Sequence, residues 1–479
     1  MFDVAIIGCG VIGAACAYEL SKKNLKVAII EKENDVASGT TKANSAIIHA
    51  GYDPKPGTDM ARLNVEGNRM VAEICKKLCV PYKQIGSLVL AFSEGEMDHV
   101  RELYERGVAN GVPGVCVLSR DEVMTLEPNL SEKVCGALYA PSAGVISPWE
   151  FALAMAETAV RNGAELFLST PVESIENIDG TYRINTPARS FEAKYVLNCA
   201  GVYGDAVHEM VGEKEFTIIP TKGEYYLLDK SEGKRVSRVI FQCPDEKGKG
   251  VLVSPTVHGN LIVGPDATVC ERDDVSNTQS AMDFLREMST KSVPSIAFRD
   301  NIRNFAGVRA NHDRDDFVIG ESKTAKNFVN VACIKSPGLS AAPAIAQDVM
   351  NILASLGLEM TDKAEIIDER HRVHFNELSA EEKNELIRRN PLYGRVICRC
   401  ETVTEGEIVD AIHSPILPRS INAIKRRVGA GMGRCQGGFC GPRVQEILAR
   451  ELGLSQTDIV LESDGTFILT SETKGGAAK

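Results

Sequence analysis

The tightest constraint on the fold lies at the start of the chain. Val4, Ala5, Ile6 and Ile7 form a short apolar run, and Gly8-Cys9-Gly10-Val11-Ile12-Gly13 follows without a break. Such a run reads as a strand buried on both faces, the situation of a parallel sheet covered by helices. Residues 14–23 have helical composition, residues 26–30 read as a second strand, and Glu31 closes it. Gly8 then permits the turn, Gly10 lets the backbone approach a pyrophosphate, and Gly13 lets the helix pack on the strand. The helix N–H groups face the phosphate charge. Glu31 stands eighteen residues past Gly13, near the ~20 expected for a carboxylate that binds ribose hydroxyls. A dinucleotide with a free 2′-hydroxyl is therefore expected, against the blander reading of a glycine-rich turn with no nucleotide.

The remaining composition narrows the class. With 44% apolar and 25% charged residues over 479 positions, the chain is an ordinary compact protein with room for about three domains. The net charge of −11 without a long basic run argues against a grip on nucleic acid. Met1 runs into an apolar segment without a basic leader, and no apolar stretch reaches the roughly 18 residues a spanning helix needs. We expect a cytoplasmic protein without a transmembrane segment, which leaves peripheral membrane association open. Fourteen cysteines are too few for a secreted disulfide scaffold, and Cys398, Cys400, Cys435 and Cys440 crowd one window.

Further strands are legible downstream. Residues 195–198 and 328–331 look like buried strands that return to the first sheet. Residues 225–228, 250–254 and 260–264 alternate or pair across a His258-Gly259-Asn260 turn and suggest a separate antiparallel sheet. After Gly357 the chain becomes charge-rich, and Ser379-Ala380-Glu381-Glu382 is a capping box ahead of a polar helix that Pro391 would end. The last residues, from Lys474 onward, read as a frayed end. No internal repeat is evident.

Ala37-Ser38-Gly39-Thr40-Thr41-Lys42-Ala43-Asn44-Ser45 is a second small, hydroxyl-rich loop, and Ala46-Ile47-Ile48-His49-Ala50-Gly51 adds a histidine. Here the sequence resembles the D-amino-acid-oxidase-like FAD superfamily. Lys55-Pro56-Gly57, Glu66-Gly67-Asn68-Arg69, Pro220-Thr221-Lys222-Gly223-Glu224-Tyr225-Tyr226, Ala306-Gly307-Val308-Arg309-Ala310 and Ser336-Pro337-Gly338-Leu339-Ser340 extend the resemblance over about the first 350 residues. The likeness is greatest to L-2-hydroxyglutarate oxidases and bacterial glycerol-3-phosphate dehydrogenases. It implies an α/β fold: a Rossmann-like FAD-binding domain with an inserted antiparallel-sheet substrate domain, plus a small C-terminal [2Fe–2S] domain. Residues 1–360 would be the oxidoreductase domain. Its FAD-binding parts would be about 1–80, 145–215 and 300–360, and its substrate parts about 81–144 and 216–299. Residues 361–394 would be a linker, 395–453 the cluster domain and 454–479 a tail. Beside Gly8, Gly10, Gly13 and Glu31, the resemblance assigns Lys32, Thr40, Thr41, Asn44 and Ser45 to the cofactor. Gly201, Gly307, Gly338, Leu339 and Ser340 join them, and Val172 is the position whose backbone meets adenine.

A flavin oxidises a secondary alcohol by taking hydride while a base takes the hydroxyl proton, so the chain must supply a base and an anion anchor. His49 is the candidate base, since imidazole titrates near working pH; otherwise it merely bonds the flavin or a carbonyl. Arg309 is the candidate anchor for a carboxylate or phosphate, because its guanidinium fork matches either anion. Its alternative is a structural ion pair with the acids at 313–316. Lys222, read as lying on a strand edge, is a possible second cation or a solvated lysine.

Cys398-Arg399-Cys400 and Cys435-Gln436-Gly437-Gly438-Phe439-Cys440 can hold a [2Fe–2S] cluster or a tetrahedral zinc, or remain thiols. The C-x-C spacing counts mildly against zinc, and nearby glycines leave N–H groups free to approach sulfur. The segment resembles the bacterioferritin-associated-ferredoxin-like domain, which implies an electron-accepting partner subunit. The other ten cysteines read as packed core positions. The expected reaction is oxidation of a small anionic secondary alcohol, foremost glycerol 3-phosphate to dihydroxyacetone phosphate, with electrons leaving through the cluster. An L-2-hydroxyglutarate or other 2-hydroxy-acid enzyme, an amine or imino-acid enzyme, and a non-catalytic electron-transfer subunit are the rivals. A partner is expected near Lys425, Arg426 and Arg427, whose blander reading is a solvated basic run.

Overall fold

The computed structural model describes residues 1–244 and 250–471, so the end beyond Lys474 that reads as frayed lies outside the described residues. The elements used below are strands β1 (Phe2–Ile7), β2 (Val27–Ile30), β3 (Ser190–Asn198), β4 (Ile218–Leu228), β5 (Asn301–His312) and β6 (Phe328–Ala332). The helices are α1 (Val11–Leu20), α2 (Gln279–Ser292), α3 (Gly338–Ser355), α4 (Ile421–Val428) and α5 (Gly441–Leu452). The chain divides into two packed units, one of residues 1–30, 37–166 and 172–370, the other of 31–36, 167–171 and 371–479.

The first unit contains a parallel core in the order β2–β1–β3–β6, with Ile6 opposite Ile29 and Leu197, and Leu197 opposite Val329. β2 and β6 are wholly buried, as are β1 from Val4 and β3 from Tyr195 onward, as a sheet covered on both faces requires. Helix α1 starts at Val11, earlier than its composition suggests, because Gly10 takes an extended N-cap backbone directly after the turn. The same unit holds a nine-stranded, largely antiparallel sheet. In it Leu252–Pro255 pairs with Leu261–Gly264, Val253 opposite Val263, across the expected turn. β4 runs along the whole of β5, Thr221 opposite Arg309 and Gly223 opposite Gly307.

The second unit has its own core of Cys398, Val403, Ile408, Ile412, Ile424, Val444, Ile447 and Leu448. The helix Ala380–Arg389 carries the expected capping box, Ser379 and Glu382 exchanging hydrogen bonds. The cysteines outside this unit are less uniformly buried than expected: Cys135 is exposed and Cys79, Cys116 and Cys270 are partly so. Small apolar neighbours in sequence did not place these four under other elements. No helix among the described residues is long and apolar enough to cross a membrane.

Candidate functional site

The glycine turn is a cradle with no room for side chains. A Cβ at Gly8 would stand 2.6 Å from the carbonyl oxygen of Cys199, and one at Gly13 would stand 2.0 Å from that of Gly8. Gly8 also has φ +94°, which favours glycine. Gly10 has no side chain to cap α1 and no acid lies in its first turn, which leaves the positive end of the helix suited to an anion. Thr41 Oγ1 accepts the Val11 N–H at 2.9 Å, and Thr40 Oγ1 donates to the Val308 carbonyl at 2.6 Å. Asn44 spends its amide on the carbonyls of Thr40 and Thr41 and accepts the Ala46 N–H. It shapes the loop from within. Gly307 lets that loop lie on β5, for a Cβ there would meet the Ala43 carbonyl oxygen at 1.9 Å.

Glu31 directly follows β2 and is buried, its carboxylate accepting the Glu33 N–H at 3.0 Å, while Lys32 pairs with Glu33. Gly201 has φ +58° and open space where a Cβ would point. Val172 is half-buried. Helix α3 begins at Gly338 without a side-chain cap or an acid in its first turn, which makes a second positive helix end.

His49 is held from several sides. Its N–H donates to Ser340 Oγ at 2.7 Å, and its carbonyl accepts from Asn64 and Asn68 at 3.3 and 3.0 Å. Its Nε2 lies 3.2 Å from Ser336 Oγ, and the ring stacks on Phe241 with centroids 5.9 Å apart. Ser340 is wholly buried, and Gly67 allows this approach, since a Cβ there would stand 2.2 Å from the Ser340 carbonyl oxygen.

Alternation along β4 decides which groups share a face. Thr221, Gly223 and Tyr225 point one way, beside Arg309, Gly307 and Phe305 of the paired strand. On this face Tyr225 stacks on Phe305 at 4.7 Å, and its hydroxyl lies 3.3 Å from Ser45 Oγ. The Arg309 guanidinium donates to the Asp266 carbonyl at 3.1 Å. Among the described residues it makes no ion pair with the acids at 313–316: Asp315 pairs with Lys55 and Lys335, and Asp316 accepts the N–H groups of Asp59 and Met60.

Lys222 departs from its expected place. It lies inside β4, flanked by β5 on one side and Thr268–Val269 on the other, and is 3% exposed. It is neither an edge residue nor a solvated lysine. One residue out of step with Gly223, it faces the opposite side from Arg309, where Nζ reaches Asp274 at 2.8 Å and Ser276 at 3.1 Å. Burial disfavours its charge, but the hydrogen bond to Asp274 and the charges of Asp274 and Glu224 outweigh that and raise its pKa above the usual lysine value. On the same side Glu224 binds the Thr278 N–H and hydroxyl just ahead of α2.

In the second unit the four cysteines meet in two pairs. Cys400 Sγ lies 3.7 Å from Cys435 Sγ, and Cys398 hydrogen-bonds Cys440. That bond, with backbone N–H groups of Gly431, Glu401 and Cys400, brings the Cys398 thiol down to about 6. The N–H of Phe439, then Cys400 and the N–H groups of Gly437 and Gly438, lower that of Cys435. Two thiol pairs ringed by amides suit a binuclear iron–sulfur centre, which Cys398, Cys400, Cys435 and Cys440 would hold and which would supply a one-electron relay. The loops fit closely around them, since a Cβ at Gly433 would meet Cys400 Cβ at 2.3 Å.

Arg426 and Arg427 are not surface residues. They are 7% and 2% exposed and converge on Asp35, with Arg426 also binding Glu462 at 2.6 Å. These two arginines form buried ion pairs and are neither solvated nor open to a docking protein, whereas Lys425 is half-buried and bonds Gln436. An acid nearly four hundred residues away in sequence could not be foreseen as their partner.

Sequence reasoning passed over Tyr225, Phe241, Ser336, Asn64 and Asn68 as contacts of the site. Asn68 and Ser336 sat within the quoted motifs, but only the folded chain turns them toward His49.

The fold and its glycine cradle define a flavin-dependent redox protein. The FAD dependent oxidoreductase family matches residues 3–352, and this chain belongs to it. A BFD-like [2Fe-2S] binding domain matches residues 396–450. The chain is 53% identical over 476 residues to a glycerol 3-phosphate dehydrogenase of Caloramator mitchellensis, covering 99% of both. It is 30% identical to human mitochondrial L-2-hydroxyglutarate dehydrogenase, covering 72% of this chain and 87% of that protein. Among solved structures it is similar to dithionite-reduced L-alpha-glycerophosphate oxidase from Mycoplasma pneumoniae with FAD bound. That likeness has a TM-score of 0.74 and 31% identity, covering 78% of this chain and 98% of the other. The cofactors are accordingly FAD and a [2Fe–2S] cluster, and the residues present fit both.

Proposed function

We propose that this chain oxidises glycerol 3-phosphate to dihydroxyacetone phosphate and delivers the electrons, one at a time, to a partner protein. The oxidoreductase part would be residues 1–360, joined by 361–394 to the cluster domain at 395–453. When bound, FAD supplies the hydride acceptor and the cluster a one-electron relay. Arg309 binds the substrate phosphate through its guanidinium fork. His49 takes the proton from the C2 hydroxyl, so that hydride and proton leave together and the alcohol becomes a ketone. Ser340, Asn64 and Asn68 hold the His49 backbone, and Ser336 lies beside its Nε2. Phe241 and the Tyr225–Phe305 stack exclude water.

The observation that carries this reading is the face of β4 and β5 on which Arg309 lies with Gly223, Gly307 and Tyr225, the last touching Ser45 of the cofactor loop. It places the Arg309 guanidinium near that loop, with Lys222 on the opposite face of the sheet. Identity over nearly the full length of a glycerol 3-phosphate dehydrogenase, cluster domain included, supports phosphate over carboxylate. The ten cysteines outside the cluster set, none in a disulfide, suit the reducing cytoplasm. Anaerobic flavin bleaching tests the reading: glycerol 3-phosphate should bleach faster than L-2-hydroxyglutarate, and Arg309→Ala should weaken substrate binding well over tenfold, the effect of losing about 2 to 5 kcal/mol. Faster bleaching by the hydroxy acid would transfer the assignment to it.

A further inference from the structure

The outer face of the cysteine-bearing unit carries a further reading, which rests on the electron route just proposed. Cys398 and Cys440 are buried whereas Cys400 is exposed and Cys435 partly so, so the Cys400–Cys435 pair is the one that meets solvent. Phe439 lies in the loop between Cys435 and Cys440. Its N–H is aimed at the Cys435 sulfur while its ring is 86% exposed, the most exposed large apolar side chain among the described residues. A lone exposed phenylalanine would need no explanation. This one is anchored to a cluster ligand and flanked by charge.

Arg399 and Arg434, next in sequence to Cys400 and Cys435, are both exposed, and Arg443 is exposed in the first turn of α5. Arg443 pairs with Glu446, and Glu401 lies half-buried by Gly433. Arg399 and Arg434 thus place two exposed guanidinium groups next in sequence to the outer ligand pair, in a chain whose net charge is −11. An exposed aromatic in the ligand loop, with exposed arginines next in sequence to the outer ligands, has the composition of a protein-binding hot spot.

We propose that Phe439, Arg399 and Arg434 form the docking surface for an acidic protein that accepts single electrons. In each transfer the reduced cluster loses one electron and the carrier's redox centre gains it, with no bond formed or broken. A nicotinamide, which takes hydride, does not suit such a donor. An anionic membrane would match the same charges, but it offers no electron acceptor and leaves the exposed ligand at the centre of the face without a use.

The test uses the iron-loaded, FAD-loaded full chain with cytochrome b5 as an acidic one-electron acceptor and cytochrome c as a basic one. Two readouts are taken: binding of each oxidised cytochrome without substrate, and its reduction with glycerol 3-phosphate. We expect binding and reduction of cytochrome b5 to weaken with added salt. Phe439→Ala, which keeps the N–H, and the double variant Arg399→Glu/Arg434→Glu should each weaken cytochrome b5 binding about tenfold or more, with iron content and flavin bleaching retained. The double variant should improve cytochrome c. Should Phe439→Ala lose iron, the arginine variant and the salt dependence decide. Equal binding by wild type and the iron-replete arginine variant, a preference for cytochrome c, or a flat salt response would overturn the proposal. So would flotation on phosphatidylglycerol vesicles that needs Phe439 while cytochrome b5 kinetics do not. Failure of the wild type to bleach with any substrate would strike the functional reading itself, separately from the binding result.

Discussion

The guanidinium of Arg309 occupies the space in which a side chain on Gly223 would begin: a Cβ built there stands 2.0 Å from Nη2. The two residues lie on one face of neighbouring strands. Gly223→Ala should therefore push the guanidinium off its seat and raise KM for glycerol 3-phosphate about tenfold or more, a misplacement effect without loss of charge. Steady-state kinetics beside an unchanged flavin spectrum checks this, and an unaltered KM would remove Arg309 from the anchor role.

Lys222 offers the matching control. Because it faces α2 and Asp274 instead of Arg309, Lys222→Met should leave KM for glycerol 3-phosphate within about twofold while lowering thermal stability, since Glu224 loses a nearby counter-charge. A large rise in KM with unchanged stability would return this lysine to the substrate side.

Ser340→Ala removes the acceptor of the His49 N–H and leaves a donor unsatisfied, a cost of about 1 to 3 kcal/mol where buried. The imidazole should then be poorly held, so kcat falls more than KM rises. His49→Ala should slow the reductive half-reaction about 10²- to 10⁴-fold, the usual worth of a general base. Stopped-flow bleaching at saturating substrate distinguishes the two variants.

Arg427 forms a bidentate pair with Asp35, both bonds 2.9 Å long and both groups 2% exposed at the side chain. Burial opposes ionisation of Asp35, yet Arg427 and Arg426 overcome it and lower its pKa below the ordinary value. A carboxylate so depressed stabilises the fold above its unfolded pKa of about 3.9 and loses that contribution as pH falls through the folded value. Urea unfolding of the wild type should thus weaken below about pH 4. Arg427→Ala should cost about 3 to 5 kcal/mol near neutral pH by stranding buried charge, and Asp35→Asn should flatten the acid limb. A wild-type stability profile unchanged by Asp35→Asn would refute this account.

Cys435→Ser separates flavin chemistry from electron export. The variant should lose iron and labile sulfide, yet keep FAD and be bleached by substrate, because all of the flavin fold but residues 31–36 and 167–171 packs in a unit of its own. A dye that draws electrons from flavin should sustain turnover where a protein acceptor cannot. Full activity with a protein acceptor despite verified loss of iron would end the relay; loss of FAD as well would make the domain structural.

What the sequence by itself determined is chemistry written into short stretches. The strand, glycine turn and following helix are local, and they meet the parallel core that family membership and fold bear out. The cysteine spacing left an iron–sulfur cluster, zinc or thiols open, and the resemblance of the short segments around it pointed to the iron–sulfur domain that the family match bears out. Tertiary structure alone decided where charges went. Lys222 and Arg309 look alike as cations flanked by small residues, but strand alternation and pairing set them on opposite faces of one sheet. Arg426 and Arg427 read as an exposed basic run until Asp35, 391 and 392 positions away, is seen to bury them. Period and spacing act over a few residues, whereas desolvation and ion pairing depend on whichever distant segments the fold brings into contact.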